Sequence, residues 1–138
     1  LMIYRDRFRA DAGTAQVTRP TTMAGVNVLV APTQEEADHL FTTAQLMAIR
    51  IRSGQPAPLD PPVDSLADAV PTELLPLAQA HQAARAVGTP EVVVERLEEF
   101  VAEHELDELI VTTYTHDPAM RQRSFELLAD AWGITPRI

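Results

Sequence analysis

Two runs of the chain are apolar on both faces, and three others repeat their apolar residues at helical spacing. Thr22 to Ala31, Thr-Met-Ala-Gly-Val-Asn-Val-Leu-Val-Ala, is rich in β-branched residues with no polar alternation, the pattern of a strand buried on both sides of a parallel sheet. Thr33 follows as a helix cap, with Glu36 three residues on as the second half of a capping box. Ala37, Leu40, Phe41, Ala44, Met47, Ala48 and Ile51 then mark one face of a helix reaching about Ile51. Residues 53–71 contain Pro56, Pro58, Pro61, Pro62 and Pro71 with Gly54 and little periodicity, which predicts a flexible Pro-rich loop. A shorter helix is expected from Thr72 to about Arg85, with Pro76 tolerated near its start. Thr89 caps the next helix and Pro90 takes its first position, with Val93, Leu97, Phe100 and Val101 as the inward stripe. Asp107 to Thr113 reads as a second buried strand. Asp117 and Pro118 then open a last helix that points Met120, Leu127, Leu128, Ala131 and Trp132 inward and stops at Gly133, with Pro136 beyond.

Ahead of the first strand, Ile3 to Phe8 forms a helical turn that opens directly at Leu1. The expectation from so abrupt a start is a cut chain, a single fragment over residues 1–138. A strand that returns through helices to a parallel strand is the βαβ unit of α/β folds. Two such strands cannot close a barrel, and a (β/α)8 barrel needs about 250 residues.

Composition narrows the partners. With 138 residues, 46% of them hydrophobic, the chain lies outside the range of disordered segments. The formal net charge is -9, every basic residue is Arg, and no cluster of Arg interleaves with aromatics, so nucleic acid is not an expected partner. There is no cysteine, which excludes disulfides, thiolate metal sites and Cys nucleophiles. No apolar run approaches the roughly 20 residues of a membrane helix, and no signal-like segment opens the chain; a cytoplasmic protein with no membrane partner is the expectation.

The ordered set Val26-Asn27-Val28-Leu29-Val30-Ala31-Pro32-Thr33-Gln34-Glu35-Glu36-Ala37, the Pro-rich loop, Ala86-Val87-Gly88-Thr89-Pro90-Glu91-Val92-Val93 and Asp107-Glu108-Leu109-Ile110-Val111-Thr112 resembles the C-terminal third of luciferase-like flavin-dependent monooxygenases. The resemblance runs from about Tyr4 to Trp132. It implies an α/β fold: the C-terminal portion of a partial (β/α)8 TIM barrel, contributing its last two parallel strands with their helices and a Pro-rich excursion. It further implies reduced FMN as cofactor in the intact parent, delivered by a separate flavin reductase, with O2 and a small molecule as substrates. The family's flavin-phosphate and main catalytic residues belong to earlier strands, so this chain is expected neither to bind FMN nor to be active alone. Gln55 to Pro71 corresponds to the loop that the family lays over its active site.

Reacting groups of a TIM barrel sit where strands end on the C-terminal face. That selects Ala31-Pro32 and, above all, Thr112, Thr113, Tyr114 and His116 as the active-site face. The threonines can donate hydrogen bonds to a flavin or substrate oxygen, and His116 can carry a proton; equally, strand-end threonines satisfy nearby backbone groups. Glu36 and His39 have the Glu-x-x-His spacing of di-iron bundles, but the motif occurs once where such a site needs two, so no metal is expected. Arg121 and Arg123 open the last helix and are read as exposed. The alternative to an enzyme portion is a non-catalytic α/β module that self-associates. A homo-oligomer is expected of the isolated chain, since a two-sided apolar strand leaves edges and faces to cover.

Overall fold

In the computed structural model, which describes residues 1–79 and 84–135, short helix α1 (Met2–Arg7) precedes strand β1 (Met23–Val30), and helix α2 (Gln34–Arg52) follows it. The loop after α2 contains one helical turn, α3 (Leu66–Ala69), and ends in a 3-10 turn (Thr72–Leu74) that leads into α4 (Leu75–Gln79). Strand β2 (Arg85–Gly88), helix α5 (Pro90–His104), strand β3 (Glu108–Thr112) and helix α6 (Pro118–Ala131) follow among the described residues. None of these helices is long and apolar enough to cross a membrane.

Among the described residues the sheet has three strands, not two, all parallel, in the order β2-β1-β3. The expected helix from Thr72 to Arg85 is therefore wrong at both ends: a 3-10 turn opens it, Arg85 is already in β2, and its residues 80–83 lie outside the described residues. Four residues are too short to show a period of two, and the run before Arg85 is rich in the helix former Ala.

Register divides β1 into halves. Its first half, Met23 to Asn27, pairs with Glu108 to Thr112 of β3. Its second half, Asn27 to Val30, pairs on the other side with Arg85 to Gly88 of β2. Beyond Asn27, β3 has ended, and side chains take over its ladder. Thr113 Oγ1 donates to the Val28 carbonyl at 2.8 Å, and Ser124 Oγ of α6 accepts the Val30 N–H at 2.8 Å. Both are buried, so each leaves one fewer backbone group unsatisfied where water cannot reach.

Alternation along β1 sorts the core into two layers. Val26, Val28 and Val30 face α5 and α6, where Val93, Leu97 and Leu128 meet them; Leu29 and Ala31 face α2, against Ala37, Phe41 and Ala44. Each fully buried aliphatic side chain contributes about 1.5–3 kcal/mol. Helices therefore cover both faces of the sheet, whereas the helices of a closed (β/α)8 barrel all line its outer face.

The stripe expected for α2 is correct from Ala37 to Ala48 but not at Ile51, which is 57% exposed. A second stripe, Thr42, Thr43, Leu46 and Ile49, is also buried, because the Pro-rich loop packs along it. In α6 the buried positions are Ser124 and Leu128, with Leu127 and Trp132 packed at the margin; Ala131, expected inside, is exposed.

Caps explain the boundaries. Thr33 Oγ1 accepts the Glu36 N–H and Asp117 Oδ1 the Ala119 N–H. Thr89 occupies the cap position of α5 but makes no side-chain bond there; the fixed φ of Pro90 starts that helix instead. Gly133 ends α6 at φ 66°, a left-handed conformation that glycine adopts without steric cost. Pro136 lies outside the described residues.

Candidate functional site

The four residues expected on the active-site face divide into two pairs. Thr113 is buried with its proton committed to Val28, and His116 is exposed with Nδ1 donating to the Leu59 carbonyl at 2.9 Å. Those two hold the frame: one extends the sheet and the other pins the Pro-rich loop over the strand ends. Thr112 and Tyr114 face a different space. Both line a cavity of about 400 Å³ between the sheet and the second half of α2, together with Gly25, Asn27, Gln45 and Met47.

That cavity exists because α2 packs closely on the sheet only near its start. Phe41 and Ala44 sit against Leu29 and Val87, and Arg85 stacks its guanidinium over the Phe41 ring at 5.6 Å. Farther along α2, Ala48, Ile51 and Arg52 form the cavity's far wall. The sheet floor is polar and open at this level. Asn27 and Thr112 are register partners, and the Thr112 hydroxyl donates only a long bond, 3.4 Å, to the Val26 carbonyl. Asn27 Oδ1 is sealed from solvent and has no hydrogen-bond partner among the described residues.

Sequence reasoning passed over Asn27 and Gly25. Their signal was visible as the one amide and the one glycine inside an otherwise apolar strand. It went unused because the strand end, not its middle, was taken as the reactive level.

The Pro-rich loop is fastened from both ends of its middle section. Arg50 forms a two-pronged pair with Asp60, Nε on Oδ2 at 2.5 Å and Nη2 on Oδ1 at 2.7 Å. The guanidinium hydrogen bonds hold the Asp60 carboxyl below its ordinary value, against a smaller opposing effect of burial, and Asp60 in turn raises Arg50. Thr43 Oγ1 donates to the Asp60 carbonyl at 3.0 Å, and Thr42 Oγ1 accepts the Val63 N–H at 2.9 Å. The loop is thus bound along α2 at Asp60 and Val63 and to the chain after β3 at Leu59.

Electrostatics concentrate at the opposite end of the sheet as well. Asp107 accepts the Thr22 N–H at 2.8 Å and pairs with Arg19 at 2.5 Å, and these bonds, the backbone one first, lower its carboxyl from the ordinary value. Arg5 reaches from α1 to Thr22 Oγ1 and to the carbonyls of His104 and Glu105, closing the α5 terminus. Glu36 pairs with Arg123 at 2.9 Å, and His39 lies 3.4 Å from Asp64. Among the described residues no three His, Asp or Glu side chains converge as a metal site.

No family model matches the chain. It is 33% identical over 132 residues to the Bacillus subtilis protein YvbT, covering 96% of this chain and 38% of that protein. To a luciferase-like monooxygenase of Escherichia coli it is 29% identical over 131 residues, 94% of this chain and 38% of that protein. Among solved structures, the crystal structure of apo-MsnO8 matches with a TM-score of 0.78 and 29% identity, over 97% of this chain and 40% of that one. The chain spans about two fifths of the length of these relatives, and along nearly all of its own length it is similar to part of a luciferase-like monooxygenase.

Proposed function

We propose that the chain is the C-terminal portion of an FMN-dependent luciferase-like monooxygenase, a cytoplasmic enzyme whose (β/α)8 barrel it completes and whose active-site face it lines. The observation that carries this reading is the likeness to a luciferase-like monooxygenase over 94% of the chain, joined to a cavity lined by the C-terminal end of β3 and the middle of the parallel strand β1. In this reading β1 and β3, adjacent and parallel, are the last two barrel strands. The second half of β1, with β2 and α2, is an excursion standing on the barrel rim, which accounts for a helix on the inner face.

Reduced FMN, when bound, supplies the electrons for activating O2 and inserting one oxygen atom into a small-molecule substrate. The residues of the cavity fit the ring end of such a group: Asn27 and Thr112 give a polar floor beneath the apolar side chains of Phe41, Met47 and Ile51. The groups that would hold its phosphate belong, on the resemblance, to segments outside this chain, so the chain alone is inactive. Within the parent, the cavity-lining Thr112 and Tyr114 orient the ring or substrate by hydrogen bonding. Thr113 and His116 support that face, His116 by tying down the Pro-rich loop that limits entry of water. A separate reductase supplies the reduced flavin.

The test is a titration of this chain and of the longer protein containing it with FMN, oxidised and then reduced without oxygen, followed by flavin fluorescence. Saturable binding by the longer protein and none by the chain is the expected result. A longer protein that binds no flavin would end the proposal. The second reading, a self-associating α/β module with no catalysis, draws on Met23 and Ile110, which are half-exposed on one face of the sheet, and it predicts that outcome.

A further inference from the structure

Gly25 lies in the middle of β1 without a local reason to be glycine. Its φ is not positive, and a Cβ built there would meet nothing nearer than the Ile110 carbonyl oxygen at 4.0 Å. A glycine inside a strand weakens it, and one that neither bends the strand nor relieves a contact marks a surface approached closely by something else. Two residues along, on the same face, Asn27 holds an amide oxygen with no partner among the described residues. A sealed acceptor of this kind is costly to keep. Both residues are at the wall of one cavity of about 400 Å³, whose other sides are Met47 and Ile51 of α2 and, at the mouth, the exposed Tyr114.

We propose that Gly25, Asn27 and Tyr114 frame a binding site for a flat, mostly apolar molecule that donates a single hydrogen bond to the Asn27 amide oxygen. Gly25 lets a ring lie against the backbone, since no side chain rises from the sheet there. Met47 and Ile51 cover the ring's other face with apolar, adaptable surface. Asn27 supplies the acceptor for that bond: its χ2 is a broad torsion, and a small turn brings the carbonyl to the cavity. A ligand N–H or O–H then satisfies an acceptor that has no partner among the described residues, so a ring that lacks the donor loses most of its affinity. Tyr114, about one third exposed, closes the edge of the ring. The site lies in the cavity assigned above to the cofactor ring or the substrate, so the inference rests on that reading and adds to it the class of molecule held there; a longer protein that binds no flavin and a chain that shows no preference for an N–H donor are separate results.

The probes are indole and 1-methylindole, two flat bicycles that differ in one N–H. Each is titrated into the full chain while the side-chain amide resonances of Asn27 are followed by heteronuclear NMR. Indole is expected to shift those resonances saturably and to bind at least about fivefold more tightly than 1-methylindole, a modest value for one net hydrogen bond. Asn27→Leu abolishes the preference without lowering the melting temperature, because the variant removes an unmatched acceptor. Gly25→Ala folds as the native chain does and weakens both probes together. Equal affinity for the two probes, no binding of indole, or shifts confined to residues away from Asn27 would each overturn the site. A melting temperature that drops by several degrees in Asn27→Leu would do the same, by showing that the amide is already satisfied within the fold.

Discussion

Thr113 closes a gap that β3 leaves open. Past Asn27 the ladder on that side of β1 has no strand, and the Thr113 hydroxyl delivers the missing hydrogen bond to Val28. Thr113→Val keeps the shape and removes the donor, so a buried carbonyl is left unmatched at a cost of about 1–3 kcal/mol. Urea denaturation should show that loss, and Thr113→Ser should recover most of it; a valine variant as stable as the native chain would remove the hydroxyl from the frame. Thr112 is different in degree, its bond long and its side chain at the cavity. From sequence the two threonines are indistinguishable neighbours at a strand end. Only the side of the sheet each one faces separates them, and that depends on a register set by partners 85 residues away.

At the level of elements, most of the architecture was legible because the strong signals are local. The apolar run of β1 and the caps at Thr33, Asp117 and Gly133 mark boundaries that recur within a residue or two. What escaped was set by tertiary contact. Strand β2 is held by the edge of β1 and has no alternation of its own, and the second buried stripe of α2 is created by the Pro-rich loop lying on it. The cavity residues Gly25 and Asn27 escaped for a related reason: a strand apolar on both sides gives no indication of which face is covered and which is open. The turn that joins α5 to β3 makes its own prediction. Asp107 has a lowered carboxyl pKa in the folded chain, so its stabilising effect is complete above the ordinary value of 3.8 and is lost as pH falls below it towards the folded value. Asp107→Asn should therefore flatten the acid limb of a stability profile, with little further loss below pH 3.8 compared with the native chain. Identical acid limbs would show that the Thr22 and Arg19 contacts do not favour the charged form.

Across the whole molecule the covering of the sheet is uneven. Helices α5 and α6 seal one face, whereas on the other Met23 and Ile110 remain half-exposed. Beside the outer edge of β3, Phe125 and Ile134 border an apolar groove with Trp132. Exposed apolar faces next to an unpaired strand edge favour pairing between copies. Sedimentation velocity of this chain should show association that grows with concentration, and Ile110→Lys should shift it towards the monomer by placing a charge on the shared face. A native chain that stays monomeric throughout would mean that these surfaces are too small to associate on their own.

The divided register of β1 also has a meaning in time. Its lower half waits for β3, in which Glu108, the register partner of Met23, lies about 85 residues further along the chain. At a synthesis rate of about 5–20 residues per second, β1 is made roughly 4–17 s before its partner. During that interval α2 and then β2 reach the upper half first, shielding one face and one edge of the most apolar strand in the chain. The nascent polypeptide thus carries its own temporary guard, and the offset between the two pairings determines which half of β1 is protected while the rest is still being translated.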